Sequence, residues 1–319
     1  MLRKTAVLIA AVLCGTVVHA QSYPARPVRV VVPWPAGGSI DSAARTVMQR
    51  LGQTMNGSFV IDNRAGAAGT IGAEIVAKSP PDGYTLMVHS ATHVANATTY
   101  KSLGYRTLDD FTPIAFLSAQ PAVLVAHPSL PVKTTREFIA LAKSRPNDIL
   151  YASSGNGSSP HLAMALFTRT AGIQLVHVPF RGGPPAFTSL LAGETQASIA
   201  TLPNALPHVQ AGRVKALGVT TARRVAGAPH IPTIAESGLP GYEMNPWISL
   251  FGPAGLKKDF VDPMNAAVNR ILREPETVKS MVVQGLDAWS GTPDQLAARM
   301  RTDLVKFETL IKSIGIQPE

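Results

Sequence analysis

Three stretches have residue types that could do chemistry: Gly37-Gly38-Ser39, the run from Gly155 to Ser159, and Arg181-Gly182-Gly183. Each sets glycines ahead of a segment with helical periodicity, so free backbone N–H groups and the positive end of a helix dipole would face one point, an arrangement that suits an anion. Taken singly, each loop is equally a tight turn; their recurrence in one chain is what points to a cleft. The guanidinium of Arg181 could pair bidentately with a carboxylate or stand solvated at the surface. Ser90, Thr92, Ser153, Ser158 and Ser159 would add hydroxyl donors. Trp34 and Phe180 lie close to the glycines and could wall an organic ligand or pack on their own helices. Asp41 reads as a first-turn residue that orders the Gly-Gly loop rather than as a general base.

Catalytic patterns are missing from the chain. There is no Gly-x-Ser-x-Gly elbow, no Gly-Lys-Ser/Thr phosphate loop and no His-Glu-x-x-His pair. Gly66-Ala67-Ala68-Gly69-Thr70-Ile71-Gly72 lacks the Gly-x-Gly opening of a dinucleotide fingerprint. His89 and His93 are four apart but have no third ligand near them, and Ser153, His161 and Asp41 make a triad only on paper. No metal and no cofactor is expected. A secreted serine hydrolase using Ser153 or Ser158 stays open as the enzymatic alternative.

The elements that would carry these loops repeat one theme: a short β-branched strand, a loop rich in Gly, Pro or Ser, then an amphipathic helix. Val28–Val32 precedes the first loop, and Ile40, Ala43, Ala44, Val47, Met48 and Leu51 recur behind it at helical spacing, with Ser39 as the expected N-cap. Tyr84–Val88, Ile149–Ala152 and Gln174–Val178 open three further units. Such alternation predicts α/β sheets with parallel pairing. Capping boxes at Thr134–Glu137 and Thr292–Gln295 start two more helices, the last with Leu296, Met300, Leu304, Phe307 and Ile311 along one face. Proline-rich crossings near Gln120-Pro121 and from Gly241 to Pro246 are the expected passages between two lobes.

The chain has 319 residues and a formal charge of +9, with 15% charged residues and one cysteine. The basic residues are scattered rather than in runs, which argues against nucleic acid. Arg3 and Lys4, an apolar stretch from Thr5 to Val18, and Val18-His19-Ala20 read as a cleavable secretory signal over residues 1–20. Removing it takes two basic residues away, leaving +7, and takes the only cysteine, Cys14, so disulfides and thiol chemistry are excluded. Ala11-Val12-Leu13 before Cys14 argues against lipidation. The expected product is an exported protein of the periplasm.

At this point the motifs resemble those of a known family. Val32-Pro33-Trp34-Pro35-Ala36-Gly37-Gly38-Ser39-Ile40-Asp41, Pro81-Asp82-Gly83-Tyr84, Tyr151-Ala152-Ser153-Ser154-Gly155-Asn156-Gly157, His177-Val178-Pro179-Phe180-Arg181-Gly182 and Ile231-Pro232-Thr233-Ile234-Ala235-Glu236-Ser237-Gly238 are similar to stretches of the Bug, or TctC-type, periplasmic receptors of tripartite tricarboxylate transporters. The resemblance runs the length of the mature chain. It implies an α/β, type II-like two-lobed binding-protein fold, each lobe a mixed sheet flanked by helices with the ligand cleft between. Lobe one would take residues 21–121 and 245–319, and lobe two residues 122–244. It also implies a ligand site drawing on Trp34, Ala36, Gly37, Gly38, Asp41, Ser90, Thr92, Ser153, Gly155, Ser158, Ser159, Phe180, Arg181, Gly182, Ala200 and Thr201.

Two departures sharpen the expectation. Where relatives often carry aspartates, this chain has Gln196 and Ala200, so the cleft loses an anionic partner for an ammonium; Ala36 also replaces a common proline. The expected ligand is therefore a small organic carboxylate, a dicarboxylate or an aromatic acid lacking an amino group. The expected partners are the membrane permease of a tripartite tricarboxylate transporter and, as a second role, a sensor kinase for which the chain would be a ligand-dependent adaptor. A monomer is expected.

Overall fold

The computed structural model describes residues 23–225 and 227–313; the expected signal peptide, residues 1–20, lies outside them. Two sheets form two separate layers. The first has strand order β11-β4-β10-β3-β1-β2, built from β1 (Val28–Val32), β2 (Phe59–Asn63), β3 (Thr85–Ser90), β4 (Phe111–Ala119), β10 (Trp247–Pro253) and β11 (Asp287–Ala288). The second has order β7-β6-β8-β5-β9, from β5 (Ala122–Ala126), β6 (Leu150–Ser153), β7 (Val176–Pro179), β8 (Ala197–Thr201) and β9 (Lys215–Val219).

The alternating units pair in parallel, β1 with β2 and β3, and β6 with β7 and β8. Each sheet is mixed, as the resemblance implies, and the parallel pairing read from the alternation stops at the strands next to the crossings: β10 runs antiparallel to β3 and β4, and β5 runs antiparallel to β8 and β9. The reason is topological. A strand that leaves one sheet for the other enters without a helical crossover, and only a crossover forces parallel pairing.

Five parallel strands each feed a helix: β1 into α1 (Ser39–Met55), β3 into α3 (Thr92–Thr99), β6 into α5 (Ser159–Ala171), β7 into α6 (Gly183–Leu191) and β8 into α7 (Leu202–Gln210). The remaining helices are α2 (Thr70–Ala77), α4 (Thr135–Ser144), α8 (Lys258–Ile271), α9 (Pro275–Val283) and α10 (Pro293–Ser313). The capping boxes form as read: Thr134 accepts from the Glu137 N–H, and Thr292 and Gln295 exchange bonds reciprocally. The N-cap of α1 is Gly38 and not Ser39, which is the first helical residue.

The chain passes between the sheets at Gln120-Pro121 and again between β9 and β10, and the two passages are tied by a bond from Gln120 N–H to the Pro246 carbonyl (2.7 Å). Helix α10 packs on the first layer with Leu296, Met300, Phe307 and Ile311 buried. Its anchor is Asp303, which accepts from the Nε1 of the fully buried Trp247 (2.7 Å) and from Arg299 Nε (2.8 Å). Asp303→Ala leaves a buried indole N–H without an acceptor and is expected to cost about 1–3 kcal/mol in chemical denaturation. An unchanged unfolding midpoint would contradict that anchor role.

Candidate ligand-binding site

The N-termini of α1, α3, α5, α6 and α7 border one cavity between the sheets, with about 580 Å³ of empty space including its open mouth. This follows from the topology, since helices that follow parallel strands start at the carboxyl ends of those strands. Gly38 and Ser39 come from α1, Thr92 from α3, Ser159 and Pro160 from α5, Gly183 and Pro184 from α6, and Thr201 and Asn204 from α7. Trp34, Ile40, Phe187 and Ile199 supply apolar wall. Among the described residues that line it, none is Asp, Glu, Lys, Arg or His.

The site residues expected from sequence divide into three groups. Trp34, Gly38, Ser90, Thr92, Ser159, Ala200 and Thr201 line the cavity. Gly155, Phe180, Arg181 and Gly182 instead line a second, wider space of about 1040 Å³, together with the turn from Ala65 to Gly69. Trp34, Pro35 and Ser154 border both spaces and so form the partition. Arg181 is exposed there and lines this second space rather than the first.

Ala36, Gly37, Asp41, Ser153 and Ser158 border neither space. Asp41 does order the first loop: its carboxylate accepts from Gly37 N–H (2.9 Å), Arg45 Nε (2.9 Å) and Asn63 Nδ2 (3.0 Å). Burial works against its charge, but the bonds from Arg45, Gly37 and Asn63 outweigh that and hold its carboxyl below the usual range. Ser158 caps α5 by accepting from His161 N–H.

Ser153 is 1% exposed, and its Oγ meets His177 Nε2 at 2.6 Å and also bonds to Gly155. His161 accepts from Gly157 N–H instead, and Asp41 is engaged in its own loop, so the paper triad does not assemble.

Thr92 Oγ1 and Ser159 Oγ meet at 3.0 Å, and Ser159 N–H donates to Thr92 Oγ1 (3.1 Å), so the first and second layers touch directly at the cavity floor. Sequence reasoning missed Gln120, Asn204, Phe187 and Ser39 as lining residues. Gln120 carried a signal in its place at a proline-marked crossing, because a polar residue at a passage between lobes must border the space between them.

Two pairs of histidines lie behind these loops. His89 Nδ1 accepts from Trp34 Nε1 (3.4 Å) and Ser90 N–H (2.7 Å), and its ring faces His93. His161 stacks on His177 with centroids 4.0 Å apart. Burial, with the second ring beside it, holds His89 well below its ordinary value and His161 down to about 3; burial alone brings His177 to about 4, and for His93 it outweighs a Thr107 backbone contact, giving about 3. The folded state therefore keeps these rings neutral where the unfolded chain would take up protons, so their stabilising contribution is complete above pH 6.5 and falls as the pH drops toward 3–4.

Two α/β layers around a cleft lined by helix N-termini define the class, a two-lobed periplasmic binding protein. Among the described residues no helix is long and apolar enough to cross a membrane. Residues 42–316 match the tripartite tricarboxylate transporter family receptor, TctC, and the chain belongs to that family of periplasmic solute receptors. It is 32% identical over 317 residues to Protein BugT of Bordetella pertussis, covering 99% of this chain and 97% of that protein. Among solved structures, R. palustris Rpa4515 with adipate matches with a TM-score of 0.90 at 35% identity, over 93% of this chain and 100% of that one. MatC (Rpa3494) from Rhodopseudomonas palustris with bound malate matches with a TM-score of 0.84 at 32% identity, over 91% and 100%.

The histidines generate a prediction. At pH 5.5 each should remove about 1.4 kcal/mol of unfolding free energy relative to pH 8, and the four together about 6 kcal/mol. Urea denaturation at the two pH values measures it; a free energy that does not fall with acidification would contradict the neutral, buried assignment.

Proposed function

We propose that the chain is a periplasmic receptor that closes its two lobes over a small organic carboxylate without an amino group, a dicarboxylate or an aromatic acid. In this reading it presents the closed form to the membrane components of a tripartite tricarboxylate transporter. The observation that carries the reading is the lining of the cavity: five helix N-termini and a set of hydroxyls, with no charged side chain.

Helix-start N–H groups and aligned dipoles favour a carboxylate, and in a site shielded from water they do so without a cation. An ammonium in the same space would need an anion or several acceptors, and Ala200 stands where an aspartate would have supplied one. Donors come from both layers, Ser39 and Thr92 from one and Ser159, Gly183 and Thr201 from the other, with Trp34, Ile40, Phe187 and Ile199 available to the carbon skeleton. The bound adipate and malate of the two relatives support a carboxylate of this size.

The same reading divides the chain into lobe one, residues 21–121 and 245–319, and lobe two, residues 122–244; the two sheets and the paired crossings support that division. Export by cleavage after Ala20 and work as a monomer complete it. A ligand-dependent partnership with a sensor kinase would use the same closed surface. Catalysis by Ser153 is disfavoured by its burial and by its bonds to Gly155 and His177.

A thermal-shift and calorimetry panel of mono- and dicarboxylates, aromatic acids and their 2-amino counterparts tests the reading. Acids without the amino group should raise the melting temperature and bind at least about tenfold more tightly than the amino forms. Ala200→Asp should lower carboxylate affinity by about 10- to 100-fold through like-charge repulsion. Stabilisation by amino acids alone, or by no acid at all, would overturn the proposal.

A further inference from the structure

The two layers touch on both sides of the chain crossings. The crossings run through Gln120-Pro121 at the end of β4 and through Pro246 at the start of β10. In the first layer β3, β1 and β2 stand to one side of these strands and β11 to the other; in the second, β8, β6 and β7 stand to one side of β5 and β9 to the other. On the side of β2 and β7 the Thr92 and Ser159 hydroxyls meet at 3.0 Å and Gly182 packs on Pro35. The wider space between Ala65–Gly69 and Arg181 opens on that side, which makes it the mouth. On the side of β9 and β11, Gly227, which follows β9, packs on Val282 at the end of α9, just ahead of β11.

Gly227 has no room to spare. A methyl group on it would stand 2.8 Å from the Val282 carbonyl oxygen and 3.5 Å from Val282 Cγ1. Carbon does not approach a backbone oxygen as closely as 2.8 Å, so the missing Cβ sets how near the two layers can come behind the crossings. Gly227 does not have the left-handed backbone that favours glycine, so an alanine there meets an obstacle in space and none in φ. Neither Gly227 nor Val282 lines the ligand cavity or the outer space. Two bodies joined at a pair of crossings turn as a lever, and parting them at the mouth brings them together behind the crossings.

We propose that the contact between Gly227 and Val282 is the stop that limits how far the mouth opens, and that it tunes affinity from outside the ligand site. The inference rests on the reading of a receptor that closes over its ligand, and adds a positioning contact to it. A methyl group at 227 costs more the wider the mouth stands, so the closed form gains. Trimming Val282 lets the mouth open further, so the closed form loses. The apparent affinity of a receptor follows the fraction of free molecules already in the binding-competent form.

Spin labels on Val60→Cys and Val176→Cys read the separation of the layers at the mouth by pulsed electron paramagnetic resonance. These residues are 51% and 39% exposed and lie on the edge strands β2 and β7. Without ligand, Gly227→Ala should shorten the label distance, and Val282→Ala should lengthen it. In calorimetry with adipate and malate, Gly227→Ala should tighten binding about fivefold and Val282→Ala weaken it about threefold. Because the cavity itself is unaltered, each variant should change the two acids by the same factor within about twofold, which damage to the site would not do.

An unchanged or longer distance in Gly227→Ala, or a shift of the same sign in both variants, would overturn the proposal. If Gly227→Ala fails to fold, Val282→Ala decides alone, and an unchanged or shorter distance overturns it. If the acids bind but the distances do not move as stated, the stop falls and the carboxylate reading stands. If the distances move in opposite directions but no carboxylate binds, the stop stands and the carboxylate reading falls.

Discussion

Helix dipoles that converge on one cavity govern this molecule. Five parallel strands each end at a helix start, and each helix start carries N–H groups that the helix cannot satisfy itself. Two such sets, one from each layer, converge on one cavity. Helix starts carry partial positive charge, and a carboxylate brings several lone pairs in one small group. Much else serves that convergence: Asp41 fixes the first loop, Ser158 caps α5, and Thr92 and Ser159 meet across the floor. Specificity can then sit in a few groups that are not donors, such as the Ala200 methyl and the Trp34 wall.

Much of the fold was legible because its signals are local. Val28–Val32, with the glycine loop and periodic helix behind it, has one sensible reading, and the boxes at Thr134 and Thr292 mark helix starts by side-chain chemistry alone. Mixed sheets followed from the resemblance, but which strands run antiparallel was not legible in the residues of β5 and β10, because it depends on which sheet a crossing strand joins, and no residue type in Ala122–Ala126 or Trp247–Pro253 encodes that.

The site was legible in kind more than in detail. Glycine-rich loops announced that N–H groups would be free, and Gly38, Thr92 and Ser159 do border the cavity. Arg181, a natural choice for an anion, lines the neighbouring space rather than the cavity that the five helix ends border. Ser153 and the histidines are a related lesson. Residues that spell catalysis in a list are here inward-facing support: His89 accepts from Trp34 and so helps to hold the partition, and His177 pairs with Ser153 beneath the third loop.

The claim that the helix ends hold the anion without a cation is tested most directly by calorimetric titration of Arg181→Ala with the tightest-binding dicarboxylate. Because Arg181 lines the second space and not the cavity, the account predicts affinity within about threefold of the unaltered receptor. A loss of about 100-fold, the scale of a lost charge-assisted bidentate pair, would contradict it.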